Sequence, residues 1–265
     1  MGKHAKQQSA EQMREYRLRR EQEEREKQRK QNRIILWTLV GIAAVALIGV
    51  IIGIVVTQLG KESDPFSETI VPEVDQMDPS QFTETDQTTE YVKLTVTYTD
   101  ENGDAQQGDI IVRLRTDIAP ITVKNFQKLV GEHFYDGLTF HRVYSGFMIQ
   151  GGDPDGDGSG GSDETIKGEF LSNGVTNNLT HVRGVLSMAR RGNDSNSASS
   201  QFFIVHEDSD FLDGDYAAFG YVVSGMSTVD GIAGTEVESN SSGEKSVPVN
   251  PVTIVKAVFV ENTAG

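Results

Sequence analysis

The apolar residues of this chain fall into three regimes. Residues 34–59 carry no charge, and only Trp37, Thr38, Thr57 and Gln58 depart from Ile, Leu, Val, Ala and Gly. At ~1.5 Å per residue a helix of that length reaches ~39 Å, more than the ~30 Å hydrocarbon core of a bilayer. It lacks the polar face of a core helix. Thr57-Gln58-Leu59-Gly60-Lys61 offers no small-x-small cleavage site, so the run reads as an uncleaved membrane helix rather than a signal peptide. On either side, residues 1–33 have no face to bury, and residues 60–90 are acidic, Pro-punctuated and free of apolar periodicity. These predict a charged tail and an acidic linker.

From residue 91 the pattern changes. Val92, Leu94, Val96 and Tyr98 alternate with polar residues, residues 100–104 supply a turn, and residues 110–114 resume as a strand, which predicts a β-hairpin. Pro120 opens a helix with Val123, Phe126, Leu129 and Val130 on one face, ending near Glu132. Short strands are expected at 138–143, 147–151, 185–188, 202–205, 221–223 and 252–259, with a second helix at 226–233. Eight strands, two helices and glycine-rich connections predict a mainly β domain over 91–262: a closed antiparallel barrel capped by the two helices. The pattern alone leaves a sandwich open.

Charge refines this picture. The net charge of −15 divides into +5 over residues 1–33 (11 Lys/Arg, 6 Glu) and −20 over the remainder. An acidic globular part argues against nucleic acid, whose phosphates require clustered Lys and Arg. The basic flank before residue 34 and the acidic one after Lys61 put the tail in the cytoplasm and the domain outside, in a single-pass cell-membrane protein. Gly49 and Gly53 have the spacing that lets two such helices pair. No cysteine is present, which excludes disulfides, thiolate metal sites and Cys nucleophiles.

Candidate chemistry concentrates after residue 139. Four ordered blocks, Phe140-His141-Arg142-Val143 with Gly146-Phe147-Met148-Ile149-Gln150-Gly151-Gly152-Asp153, Gly184-Val185-Leu186-Ser187-Met188-Ala189, Ser200-Gln201-Phe202-Phe203-Ile204, and Phe211-Leu212-Asp213-Gly214, resemble the cyclophilin-type peptidyl-prolyl cis-trans isomerases. The resemblance runs from about Val92 to Val260. It implies an eight-stranded barrel with two helices and isomerisation of X-Pro bonds without a cofactor. The forms of the blocks look closest to bacterial members, which implies a bacterial cell membrane; with the domain outside it, the expected role is to assist the folding of exported proteins. By position it implies a catalytic role for Arg142 and, with it, Gln150. Phe147, Met148, Phe203, Phe211 and Leu212 would wall a proline pocket. Gln201 and the main chain at Ala189 and Arg190 would hold the substrate backbone, and Tyr216 would complete the rim.

The residue types suit that reaction. An X-Pro amide rotates over a barrier of ~18–20 kcal/mol set by its partial double bond. An apolar grip on the ring and a fixed cation that hydrogen-bonds the twisted amide lower it without nucleophile or metal. Arg190-Arg191 replaces a common Asn-Ala, Phe211 stands where many relatives have Trp, and Tyr216 where many have His. A binding or chaperone module that holds proline segments without turnover is the alternative reading. His141 beside Ser145 lacks both a nucleophile elbow and an acid partner, which counts against a hydrolase. Finally, Asp153, Asp155, Asp157 and Glu164 fit a D-x-D-x-D-G-x5-E calcium loop, although strands rather than helices flank it.

Overall fold

The computed structural model describes residues 69–264. The expected tail, the membrane helix and its Gly49–Gly53 spacing lie outside them. Among the described residues no helix is long and apolar enough to cross a membrane.

Residues 69–90 were expected to be linker, yet from Ile70 onward they lie on the domain. Ile70 bridges Leu179 in parallel, and Asp75 N and Met77 N donate to the carbonyls of Val222 and Val223. A 3-10 turn at Pro79–Gln81 leads into β1, Phe82–Glu84. Glu84 then pairs with Lys93 at 2.7 Å and Lys256 at 2.8 Å. These isolated contacts and one three-residue strand are too short to produce a periodic signal.

The hairpin follows as expected. In β2, Tyr91–Thr99, the side chains of Val92, Leu94 and Val96 are fully buried. They meet β3, Ala105–Leu114, in a register that sets Val92 opposite Val112 and Leu94 opposite Ile110. Helix α1, Pro120–Gly131, buries the predicted face. No side chain at its own N-terminus caps it. Instead the buried carboxylate of Glu169 accepts from the main-chain N–H groups of Ile121 (3.0 Å) and Thr122 (2.8 Å), where a helix favours negative charge.

The remaining strands are β4 (Arg142–Tyr144), β5 (Met148–Gly151), β6 (Val185–Met188), β7 (Phe202–Val205), β8 (Ala218–Ser224), β9 (Val237–Ser239), β10 (Lys245–Pro248) and β11 (Thr253–Asn262), with helix α2 at Met226–Ala233. Asp75 caps α2 by accepting from Gly225 N and Met226 N. Among the described residues nine strands form one antiparallel sheet in the order β1-β11-β2-β3-β8-β6-β7-β5-β4, and β9 with β10 form a separate ribbon beside β4.

This corrects the expected closed eight-stranded barrel: the ladder is open, with β1 and β4 at its edges. Residues 138–141, expected as strand, instead fill the gap with single contacts. Thr139 bridges Thr253 on one side and Asp153 on the other, while Phe140 N donates to Val252 O. One bridge on each side satisfies the main chain locally without building a ladder.

The sheet alternates between two apolar clusters, as its period of two requires. Phe202 and Ile204 of β7 join both helices in the larger cluster, around the aromatic set Phe126, Tyr135, Phe140 and Phe219. Phe203 and Val205 face the other way, with Met148, Leu212 and the strap residues Ile70, Val74 and Met77. The second face carries the site.

Candidate active site

Strand register builds the site. Arg142 lies opposite Gln150 across β4 and β5, and Gln150 opposite Phe203 across β5 and β7. Opposed residues share a face, so these three form one row, with Tyr144, Met148 and Val205 as the next row. Gly146 makes the tight turn between β4 and β5 at φ +81°, a conformation that suits glycine. A 3-10 turn at Asp210–Leu212 then brings Phe211 and Leu212 over the sheet from the other side.

The result is a cleft of about 280 Å³ lined by Arg142, Phe147, Met148, Gln150, Ala189, Arg190, Phe203, Phe211, Leu212 and Tyr216. Met148, Phe203 and Leu212 are buried and form its apolar floor. Phe147 and Phe211 lie 5.4 Å apart between ring centroids, and Phe211 stays 68% exposed at the rim. The guanidinium of Arg190 is fixed over Tyr216 at 4.8 Å and Phe170 at 5.2 Å, and its Nε donates to Asp215 O. Of the residues singled out for the substrate site, Gln201 alone does not line this cleft. It lines the adjoining polar cleft, together with Gln150, Arg190, Arg191 and the glycine-rich segment 158–161.

One polar chain crosses both clefts. Arg142 Nη1 donates to Gln150 Oε1 (3.2 Å), Gln150 Nε2 to Gln201 Oε1 (2.8 Å), and Gln201 Nε2 to the carbonyls of Gly158 (3.1 Å) and Gly160 (2.8 Å). Its ends fix its polarity: a guanidinium only donates and a main-chain carbonyl only accepts, so both amides can point one way only. At the other side of Arg142, Nε and Nη2 donate to the two carboxylate oxygens of Glu244 at 2.7 and 2.8 Å. This contact pulls the Glu244 carboxyl down to about 2 and raises Arg142 further above its ordinary value. Arg142 Cζ also sits 5.9 Å from the Phe147 ring centroid, within cation–π range.

Glu244 had no signal in the sequence. It is separated from Arg142 by 102 positions, on a ribbon whose short strands carry little periodicity. A second arrangement also escaped notice: His181 lies between Asp213 (2.7 Å) and Ser187 (2.9 Å). Ser187 is fully buried, so no substrate carbonyl reaches it. The His181 ring stacks on Phe203, and Asp213 ends the turn carrying Phe211 and Leu212, so the line supports the cleft wall.

Three of the four carboxylates of the calcium motif have contacts of their own. Asp153 accepts from the N–H groups of Asp155 (2.9 Å) and Gly158 (2.6 Å), Asp157 accepts from Ser159 N, and Glu164 pairs with Lys128. Asp153 and Asp157 are thus engaged by their own loop, and Glu164 reaches α1. Among the described residues no group of three or more His, Asp or Glu side chains is arranged to hold a metal ion. His141 is held below its usual value by burial, and its Nδ1 has no hydrogen-bond partner.

Comparison with known proteins agrees with this geometry. The profile of the family described as cyclophilin type peptidyl-prolyl cis-trans isomerase/CLD matches residues 95–259. Peptidyl-prolyl cis-trans isomerase ppi1 of Schizosaccharomyces pombe is 41% identical over 152 residues, covering 57% of this chain and 92% of that protein. Peptidyl-prolyl cis-trans isomerase B of Bacillus subtilis is 52% identical over 113 residues, covering 43% of this chain and 75% of that protein. Among solved structures, a Cryptosporidium parvum cyclophilin type isomerase determined in the presence of the dipeptide Ala-Pro superposes with a TM-score of 0.50 at 30% identity. That match covers 63% of this chain and 99% of the other.

Proposed function

The chain belongs to the cyclophilin-type family and is a peptidyl-prolyl cis-trans isomerase, and from that premise we propose that it turns X-Pro bonds of exported polypeptides at the outer face of a cell membrane. The observation that carries the site assignment is the convergence of Arg142 with an apolar floor of Met148, Phe203 and Leu212 in one cleft. The proline ring seats on that floor under Phe147 and Phe211. Gln150, Gln201 and the main chain at Ala189 and Arg190 hold the flanking peptide, so that one side of the amide is fixed while the other turns.

Arg142 has five N–H donors, and three are engaged by Glu244 and Gln150. The remaining two are free to hydrogen-bond the amide as it twists, when its nitrogen regains a lone pair. A donor already in place gains strength mainly in that twisted state, and that difference is what accelerates the step. A likeness to a cyclophilin studied with Ala-Pro supports a proline-containing substrate. The location rests on the uncharged run 34–59 and the charge asymmetry of its flanks.

Both parts have direct tests. The full chain, reconstituted in nanodiscs, should accelerate isomerisation of an Ala-Pro peptide, and Arg142→Ala should lower kcat about 100-fold, the scale for a lost transition-state donor. Equal rates for the two proteins would remove Arg142 from the mechanism. For location, protease added to intact bacterial cells expressing the chain should release residues beyond 60. Cleavage confined to lysed cells overturns the outward placement.

A further inference from the structure

We propose that Glu244 is a positioning residue for isomerisation: it clamps the catalytic guanidinium of Arg142 from the side and so sets the direction of the donors left for substrate. This rests on the reading of Arg142 given above, and the argument is geometric. A guanidinium on a flexible stem rotates about several bonds, and a single hydrogen bond to Gln150 leaves its plane free to turn about that bond. Two parallel bonds of 2.7 and 2.8 Å, from Nε and Nη2 to the two Glu244 oxygens, fix the plane. Together with Nη1 on Gln150, they fix the plane in which the unused N–H groups of Nη1 and Nη2 lie.

The main chain that carries the carboxylate is itself held in place. Asn240 Oδ1 accepts from the N–H groups of Ser242 (3.0 Å) and Glu244 (2.9 Å), and Asn240 N donates to Glu244 O (2.9 Å). The turn is therefore closed by Asn240 and not by the ion pair, so removing the Glu244 side chain leaves the ribbon intact. Both partners are about 30% exposed, at 32% for Arg142 and 29% for Glu244. A pair so open to water contributes little to stability, which points to orientation as its consequence. No other cation is paired with Glu244 among the described residues.

The test separates kcat from KM in the full chain. Glu244→Ala should lower kcat about tenfold with KM changed less than twofold, because the geometry of the twisted state is lost while the apolar grip is retained. Glu244→Asp should restore part of the loss, and Glu238→Ala, an acidic residue removed from the same ribbon, should change nothing. In an Arg142→Lys background, where no planar fork exists to be clamped, Glu244→Ala should cost less than twofold. Wild-type or higher kcat in Glu244→Ala, or an undiminished cost in the Lys background, overturns the proposal. The two levels fail separately. Full activity in Arg142→Ala would sink the catalytic reading itself, whereas an inactive Arg142→Ala beside an unaffected Glu244→Ala would sink only the role of Glu244.

Discussion

Two loops bound the polar chain through Arg142, and they use their carboxylates in opposite ways. The glycine-rich loop at 152–164 directs Asp153 and Asp157 onto its own N–H groups and offers the chain only the carbonyls of Gly158 and Gly160. The turn at 240–244 closes itself with Asn240 and sends Glu244 outward to the guanidinium. The glycine loop has the denser charge. The sparser turn has the carboxylate that touches Arg142. Acidic side chains close together in a tight turn find unpaired N–H groups within two to five positions, and those local bonds leave them unavailable to anything else.

Among the changes that set the two loops apart, cutting the polar chain between them has the largest expected effect. Gln201→Leu leaves two loop carbonyls without donors and Gln150 without its acceptor. We expect kcat/KM in the Ala-Pro assay to fall about tenfold; an unchanged value would show that the two loops act independently. Next is Gly160→Ala, whose added Cβ would run into the carboxylates of Asp153 and Asp155. Crowding of that kind costs about 1–3 kcal/mol and should appear as a Tm lowered by several degrees, with Glu244 still on Arg142. A Tm at the wild-type value would mean that the loop is looser than its hydrogen bonds indicate.

Acid should separate the loops by a smaller margin. The Glu244 carboxyl is lowered from 4.5 to about 2 by Arg142. A depressed carboxyl stabilises the fold above its unfolded value and loses that contribution as the pH falls through the folded value. The difference in urea midpoint between wild type and Glu244→Gln should therefore be small, constant above about pH 5, and lost progressively until it is gone below about pH 2. A difference undiminished at about pH 2 would assign the effect to packing instead of charge. The smallest expected effect is that of calcium: millimolar calcium should leave the Tm of wild type and of Asp155→Ala/Asp157→Ala alike. A rise in wild type alone would restore the loop as a cation site.

How much of this was legible in the sequence depended on distance along the chain. The hairpin and both helices are periodic over several residues, and the strands 185–188 and 202–205 lie within the resembling blocks as short buried runs, so all of these were recoverable. The cleft residues were recoverable too, because the blocks that carry them resemble a known family. The strap over 69–84 and the β9–β10 ribbon were not, since three- and four-residue strands produce no period. A carboxylate motif is ambiguous in sequence for a related reason: the spacing of Asp153, Asp155 and Asp157 is the same whether the oxygens face an ion or their own backbone.

By itself the sequence determined a mainly β isomerase domain and the residues of its cleft, because alternation and local blocks are properties of neighbouring positions. It also determined an uncharged stretch long enough to span a bilayer. Only the tertiary structure decided that the ladder stays open and that the strap lies on the domain. It alone set the partner of Arg142. Which carboxylate meets a guanidinium 102 positions away depends on how a ribbon packs beside an edge strand, and no local pattern encodes that.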